Sequence, residues 1–212
     1  MRTVRTYNHM EITMKQIQGW WMPSDEHHLD QVMRDGLYQH RQRKRALEGL
    51  SRGGLAIDVG AHVGLWLRDL WRHFDEVIAF EPVLAHQECL RANCPESNYT
   101  LRTEAVGEHE GRCGMQTYMG NTGHAHRREG TDYPMKAIDS FELKKVKFIK
   151  VDVEGFELGV ILGAEQTIRE SRPRICIEQK PHQTSYPYAA RDQLQQWGYR
   201  LREHHGDDWV LE

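Results

Sequence analysis

The stretch LAIDVGAHVGLWL, residues 55–67, decides the fold of this chain. Its first five residues form a short apolar run, interrupted only by Asp58, which predicts a buried β-strand. A glycine turn follows at residues 60–64 and opens into a helix. Glycines there let the backbone approach a ligand closely, and the first turn of the helix offers unpaired N–H groups. Because open α/β sheets bind ligands at the carboxyl ends of their strands, we predict a nucleotide-type site at this turn.

After this stretch, short β-rich runs alternate with helical periods, which is typical of a parallel sheet with helices on both faces. Further strands are predicted at residues 77–80, 99–102, 112–119, 147–151 and 174–178, and helices at residues 83–93, 138–143, 157–169 and 188–197. Two final runs, residues 199–202 and 209–211, indicate an antiparallel hairpin at the sheet edge. Residues 120–134 are rich in Gly, His, Arg and Thr and are predicted to form a long binding loop.

The N-terminal quarter of the chain has a different pattern. Residues 1–22 predict a strand or hairpin, and Ser24 is placed to cap a helix that continues to about residue 50 with a break near Gly36. The sequence SRGG at residues 51–54 is the clearest break in the chain. We therefore divide the chain into an N-terminal extension, residues 1–53, that is mostly a helical cap, and an α/β body, residues 54–212.

The composition limits the class of protein. The 212 residues are enough for one domain with a substantial core. The 28 basic and 31 acidic residues give a formal net charge of −3, so nucleic acid is not an expected partner. The four cysteines form no CxxC pair, which favours idle thiols in a reducing cytosol. No apolar run approaches ~18 residues and no secretory signal is recognisable, so we expect a cytoplasmic protein without a membrane span.

Glu81 follows the second predicted strand, 23 positions after Asp58. A carboxylate about 20 residues beyond a glycine turn can accept both hydroxyls of a ribose diol. This pairing alone does not separate an adenine dinucleotide from S-adenosylmethionine. The turn has GxxxG spacing without the middle glycine that admits a pyrophosphate, and Asp58 would repel a diphosphate but suit the amino group of methionine. The residues favour S-adenosylmethionine, and NAD stays open as the alternative.

The segments IDVGAHVGLWL, AFEP, FIKVDVEGFELGVILGA and RPRICIEQ follow one another between residues 57 and 179. Together they resemble the FkbM-type family of S-adenosylmethionine-dependent methyltransferases, and the KVDVEG segment followed by Gly163-Ala164 is the most specific part. The resemblance covers more than half of the chain. It implies an α/β fold of the Rossmann-like class I methyltransferase type: a mostly parallel seven-stranded sheet with helices on both faces and an antiparallel edge hairpin. Residues 54–212 would be this methyltransferase domain.

The resemblance also implies a set of cofactor-binding residues. The methionine part would lie against Asp58 and the glycine turn, the ribose against Glu81, and the adenine against the residues that follow the second and third strands. The full set is Asp58, Gly60, Ala61, His62, Gly64, Glu81, Pro82, Val83, Glu104, Ala105 and Asp152. The family usually has Asn where this chain has His62, and a shorter polar residue where it has Glu104.

Three residues are candidates for the chemistry. Asp152 and Glu154 follow the predicted strand at residues 147–151 and can deprotonate a hydroxyl, coordinate a divalent metal together with Glu178, or bind cofactor and substrate. Glu154 can equally cap the helix that follows. His124, in the predicted loop, is a natural base for a sugar hydroxyl, although an ordinary loop residue is the simpler interpretation.

We therefore expect an S-adenosylmethionine-dependent methyltransferase. The resemblance alone implies O-methylation of a hydroxyl on a sugar or a sugar-containing small molecule, with a carbohydrate-like acceptor as the partner. The alternatives are an NAD-dependent oxidoreductase and a non-catalytic adenosyl-binding module. Titration with adenosyl ligands and with NAD distinguishes the methyltransferase from the oxidoreductase. A methyl-transfer assay distinguishes it from the non-catalytic module.

Overall fold

The structure is a computed structural model that describes residues 1–5, 11–33, 38–95, 98–118, 120–181 and 184–212. The strands are β1 (Arg2–Arg5), β2 (Glu11–Ile17), β3 (Trp20–Pro23), β4 (Leu55–Val59), β5 (Glu76–Phe80), β6 (Tyr99–Arg102), β7 (Ala105–Val106), β8 (Gly111–Tyr118), β9 (Asn121–Lys136), β10 (Val146–Val151), β11 (Arg174–Glu178), β12 (Leu201–His205) and β13 (Asp208–Leu211). The α-helices are α1 (His28–Val32), α2 (His40–Leu47), α3 (Leu67–His73), α4 (Leu84–Asn93), α5 (Glu157–Leu162), α6 (Glu165–Ser171) and α7 (Ala189–Gln196), and a 3-10 helix spans Ile138–Phe141. The predicted break near Gly36 and the predicted strand end at Met119 lie outside the described residues.

Seven strands form the central sheet in the order β12-β13-β11-β10-β4-β5-β6. The strands from β11 to β6 run parallel to one another, whereas β13 is antiparallel to both β11 and β12. The chain leaves β4 towards β5 and β6 on one side and later returns to β10 and β11 on the other. The carboxyl ends of β4 and β10 therefore lie where the strand order reverses, which is where open α/β sheets bind ligands. The predicted parallel sheet with an antiparallel edge hairpin is confirmed.

The middle strands are apolar on both faces because helices cover both. On one face, Ile57 and Val59 of β4 pack in a cluster with residues of α5, α6 and α7. On the other face, Ala56 packs in a cluster with residues of α2, α3 and α4. Two charged residues interrupt these apolar strands: Asp58 is 0% exposed and Lys150 is 4% exposed. Buried charges of this kind need partners, and both residues lie near the carboxyl ends of their strands, where a ligand site is expected.

The helices are short. The longest in the described part of the chain, α4, has ten residues, and no helix there is long and apolar enough to cross a membrane. The predicted helix at residues 157–169 is divided into α5 and α6. The division occurs at Gly163, where the chain packs closely against Gly107, and Asp139 accepts the N–H groups of Gln166 and Thr167 at 2.8 Å each. A carboxylate from another element thus caps α6 and fixes its start.

The predicted loop at residues 120–134 is wrong, because β9 occupies this segment and pairs with β8 in an antiparallel hairpin. The pairing is interrupted by register shifts between Cys113 and Gly114 and between Gln116 and Tyr118. Most residues of β9 are exposed or half-buried. Since neither face is packed against a core along its length, the sequence lacks the alternation that marks a strand.

The expectation of a mostly helical N-terminal extension is corrected by the structure. Strands β1, β2 and β3 form an antiparallel sheet of four, seven and four residues, while α1 and α2 have five and eight. The segment packs on the body through an apolar cluster that includes Met14 and Met22 from one side and Val63 and Leu65 from the other. The division of the chain at residue 53 stays a prediction.

Candidate active site

A cavity opens at the carboxyl ends of β4, β5, β10 and β11. The hairpin β8–β9 contributes to one wall, and Leu29, Tyr38 and Gln39 of the N-terminal segment contribute to another. The expected site residues that line it are Gly60, Ala61, His62, Glu81, Pro82, Glu104, Ala105, His124, Asp152 and Glu154. The structure thus gathers ten residues from five separate segments into one site. Three expected residues, Asp58, Gly64 and Val83, neighbour the cavity but do not line it.

The turn after β4 presents backbone to the cavity. Gly60 has a φ of +76°, and a Cβ atom there would lie 1.9 Å from the carbonyl oxygen of Asp152, so only glycine fits. The N–H groups of Gly60 and Ala61 both donate to the carbonyl oxygen of Phe80 at 3.0 Å, which ties the turn to the end of β5. The next residue, His62, has a φ of +48°. A histidine in the left-handed region is uncommon, and its contacts have to offset the cost.

Glu81 supplies those contacts. The residue is 4% exposed, and its Oε2 accepts the N–H of His62 at 2.8 Å. Oε1 accepts the N–H of Val83 at 2.8 Å and lies 3.2 Å from Nδ1 of His86. The His86 ring in turn packs edge-on against the His62 ring, with centroids 4.4 Å apart. Glu81 therefore holds the glycine turn in shape as well as lining the cavity.

Asp58 is paired with a lysine of the chain. Lys150 Nζ lies 3.4 Å from Asp58 Oδ1 and 3.7 Å from Asp152 Oδ2, and it donates a hydrogen bond to the Gly60 carbonyl oxygen at 2.6 Å. Burial opposes the charge of Lys150, but the two carboxylates outweigh it and raise the pKa of Lys150 above its ordinary value. Burial also raises the pKa of Asp58, against the attraction of Lys150. Lys150 therefore lines the cavity, while Asp58 lies behind it, with its carboxylate next to the lysine's ammonium group.

Three carboxyl groups meet at the ends of β10 and β11: oxygen atoms of Asp152, Glu154 and Glu178 lie within 4.8 Å of one another. Lys180 Nζ lies 2.8 Å from Glu154 Oε1 and 2.6 Å from Glu178 Oε2. Burial and the nearby charge of Asp152 raise the pKa of Glu178 well above its ordinary value, against the attraction of Lys180. Lys180 beside Glu154 and Glu178, and Lys150 beside Asp152, already supply positive charge to this cluster, and we propose no metal there.

The hairpin β8–β9 places His124 and Arg127 at the cavity. His124 is exposed, and Arg127 lies over the ring of Phe156 with its guanidinium carbon 4.3 Å from the ring centroid. His126 instead packs against Tyr118, with ring centroids 5.5 Å apart, and does not line the cavity. His124 is therefore the histidine of this hairpin that can meet a substrate.

Sequence reasoning missed Lys150, His86 and Tyr38, which all line the cavity. A lysine inside the apolar run FIKVD was a usable signal, because a charge in a buried strand needs a partner. His86 lies five residues after Glu81, in the first turn of α4, but no sequence pattern identifies it as a site residue. Tyr38 has no local signal; burial, reinforced by Glu178 and Asp152, raises the pKa of its hydroxyl to about 12.

The strand order and the position of the cavity define the class of protein. The chain is similar to methyltransferase FkbM from Methylobacillus flagellatus KT, with a TM-score of 0.55 and 20% identity over 77% of this chain and 44% of that chain. Precorrin-6y C5,15-methyltransferase from Geobacter metallireducens GS-15 gives a TM-score of 0.52 and 13% identity over 81% of this chain and 87% of that chain. Ribosomal protein L11 methylase from Lactobacillus delbrueckii subsp. bulgaricus gives 0.52 and 9% identity over 82% and 78%. At these identities the likeness shows the fold alone, which is that of a class I methyltransferase.

A family comparison takes the identification further. The model of the methyltransferase FkbM domain matches residues 58–201, more than half of the chain. The chain belongs to the FkbM methyltransferase family, as its sequence motifs predict. It spans 44% of the length of the Methylobacillus flagellatus protein. A comparison with curated proteins found no match.

Proposed function

We propose that this chain is an S-adenosylmethionine-dependent methyltransferase that methylates a hydroxyl of a small, carbohydrate-like acceptor. One observation carries the cofactor part: the nearly buried Glu81 carboxylate and a turn with no room for a side chain at Gly60 face the same cavity. The turn admits close backbone contact, and the carboxylate can accept a ribose hydroxyl. Membership of a methyltransferase family favours methyl transfer over NAD-dependent oxidation.

The methionine end of the cofactor carries an ammonium and a carboxylate group. In the proposal, Lys150 faces the ligand's carboxylate and the half-buried Asp152 faces its ammonium, because each has the opposite charge and both line the cavity. Asp58 then acts through Lys150 and not by direct contact. Glu104 and Ala105 stay the proposed contacts of the adenine, with Pro82 along its edge.

When bound, S-adenosylmethionine supplies a methyl group on a positively charged sulfur. The chain has to align the acceptor for in-line displacement and to take the proton of the hydroxyl. Asp152, Glu154 and His124 have suitable chemistry and line the cavity. Since Lys180 holds Glu154 at 2.8 Å, we favour Asp152 or His124 as the proton acceptor.

Binding tests the cofactor. S-adenosylhomocysteine should bind with a Kd on the order of micromolar and raise the Tm, while NAD should do neither. Glu81→Ala should weaken this binding at least about a hundredfold, because hydrogen bonds to a charged group are lost. Glu129→Ala, at an exposed site on β9, is the matched control and should bind normally. A response to NAD alone would support the oxidoreductase instead.

Transfer tests the reaction. Labelled S-adenosylmethionine should pass its methyl group to a fraction of small carbohydrate-like molecules, and His124→Ala should reduce the rate about 100-fold while leaving S-adenosylhomocysteine binding close to normal. Asp152→Asn should reduce the rate and also weaken S-adenosylhomocysteine binding, because the carboxylate that faces the ligand's ammonium is lost. Label in a nucleic-acid or protein fraction would contradict the proposed acceptor. Cofactor binding without transfer to any fraction would identify a non-catalytic module.

A further inference from the structure

A buried hydrogen-bond chain joins the N-terminal segment to the glycine turn. Glu26 is 0% exposed; its Oε1 accepts the N–H of Leu29 at 2.8 Å, and its Oε2 accepts both the N–H and the hydroxyl of Thr122, at 2.8 and 2.6 Å. Thr122 Oγ1 also lies 3.1 Å from Nε2 of His62. Three residues that are 36 and 60 positions apart in sequence thus form one network next to the cavity.

These hydrogen bonds determine which nitrogen of the His62 ring carries the proton. A threonine hydroxyl has one hydrogen, and that hydrogen points to Glu26 because a carboxylate only accepts. Thr122 Oγ1 must therefore accept from His62, so Nε2 carries the ring proton. Burial, with the charges of His86 and Lys150 nearby, lowers the pKa of His62 well below its ordinary value, and the ring is neutral. Its Nδ1 consequently has a lone pair.

His62 Nδ1 is available to a ligand. The side chain is half-buried and lines the cavity, and no described residue forms a hydrogen bond with Nδ1. The residue also keeps an unfavourable backbone conformation, with a φ of +48°. Such an outlier at a ligand site is the kind of observation from which a functional role can be inferred.

The Glu81 carboxylate alone has too few free hydrogen-bond acceptor positions to bind both hydroxyls of a ribose diol. A carboxylate offers about four acceptor positions. Val83 and His86 occupy those of Oε1, and the His62 N–H occupies one on Oε2. About one position remains, whereas the two hydroxyls of a ribose diol donate two hydrogens. A second acceptor beside Glu81 is needed, and His62 is the neighbour whose N–H Glu81 accepts and whose ring packs against His86.

We propose that His62 and Glu81 share the ribose diol of the adenosyl ligand, with His62 Nδ1 accepting one hydroxyl and Glu81 Oε2 the other. Thr122 and Glu26 are positioning residues: they hold the ring in the neutral form whose lone pair faces the ligand. This inference rests on the proposed function, since it requires an adenosyl ligand in this cavity. It assigns a ligand contact to the side chain of His62, at a position where the family usually has Asn.

A cycle of variants and ligands tests the proposal. S-adenosylhomocysteine and its 2′-deoxy and 3′-deoxy analogues are titrated against the unaltered protein, Thr122→Val and Thr122→Ser. Thr122→Val should weaken S-adenosylhomocysteine about tenfold, since one hydrogen bond to the ligand is lost. One of the two deoxy analogues should bind Thr122→Val and the unaltered protein equally. Thr122→Ser keeps the hydroxyl and should restore normal binding.

His62→Gly provides a second variant, because glycine adopts the left-handed conformation without strain. It should show the same pattern as Thr122→Val. An equal loss for all three ligands would mean a purely structural role, and no loss at all would mean that His62 does not contact the ribose; either result overturns the proposal. Failure of S-adenosylhomocysteine to bind the unaltered protein would instead overturn the proposed function.

Discussion

At the scale of single residues, burial raises the pKa of several carboxyl groups, among them Glu157 and Asp208. Glu157 is 5% exposed and accepts the N–H of Gly155 at 2.9 Å. Burial raises the pKa of Glu157 from 4.5 to about 7. Between these two values the folded protein keeps a proton that the unfolded chain has lost. The free energy of unfolding therefore falls as the pH rises through this window.

Glu157→Gln should flatten that dependence. The amide cannot titrate, so the slope of the unfolding free energy against pH should become smaller by up to about 1.4 kcal/mol per pH unit between roughly pH 5 and 7. Urea denaturation at pH 5, 6, 7 and 8 measures it. Asp208, whose pKa burial also raises to about 7, acts in the same direction but is present in both proteins. Glu129→Gln, an exposed control, should leave the slope unchanged; an unaltered slope in Glu157→Gln would contradict the prediction.

At the scale of elements, the contact between Gly163 and the loop before β8 fixes where α5 ends. A Cβ atom on Gly163 would lie 2.0 Å from the carbonyl oxygen of Gly107 and 3.1 Å from the Cα of Glu108. Both are backbone atoms that cannot rotate away. Gly163, which together with the KVDVEG segment carries the most specific resemblance to the family, is therefore explained by helix packing and not by ligand contact.

Gly163→Ala should destabilise the fold by about 2–3 kcal/mol, because α5 has to move away from Gly107. Thermal or urea unfolding measures the loss. Gly111→Ala is the matched control: the nearest atom to its Cβ would be Met135 Cε at 3.9 Å, so the cost should stay below about 1 kcal/mol. Equal stability of the two variants would show that α5 shifts without penalty.

The elements that the sequence predicts well are those whose burial is uniform. β4 and β11 are buried along almost their whole length and are mainly apolar, and Glu81 follows a strand at the expected distance from Asp58. β9 escapes prediction because its residues are mainly exposed; it pairs with β8 along most of its length and with the two-residue strand β7 at its end. The cavity contacts of Lys150 and the network through Thr122 also escape, since their partners lie far apart in sequence and meet only through the fold.

At the scale of the whole molecule, the site is completed by the N-terminal segment. Leu29, Tyr38 and Gln39 line the cavity, and Glu26 reaches the glycine turn through Thr122. Asn93 of α4 adds a second link, since it accepts the N–H of Trp21 at 2.7 Å and donates to the carbonyl oxygens of Trp21 and Val63. Ligand binding and the order of this segment should therefore be coupled.

Hydrogen exchange measures that coupling. S-adenosylhomocysteine should slow exchange in residues 20–33, where the N–H groups of Trp21 and Leu29 donate to Asn93 and Glu26, as well as in the glycine turn. NAD is the control ligand and should change neither region. In Thr122→Val at saturating ligand, the glycine turn should stay protected while residues 26–33 return towards their ligand-free rates, because the link from Glu26 to His62 is cut; Trp21 keeps its link through Asn93. If ligand protects the turn but never residues 20–33, the order of the N-terminal segment is not coupled to ligand binding.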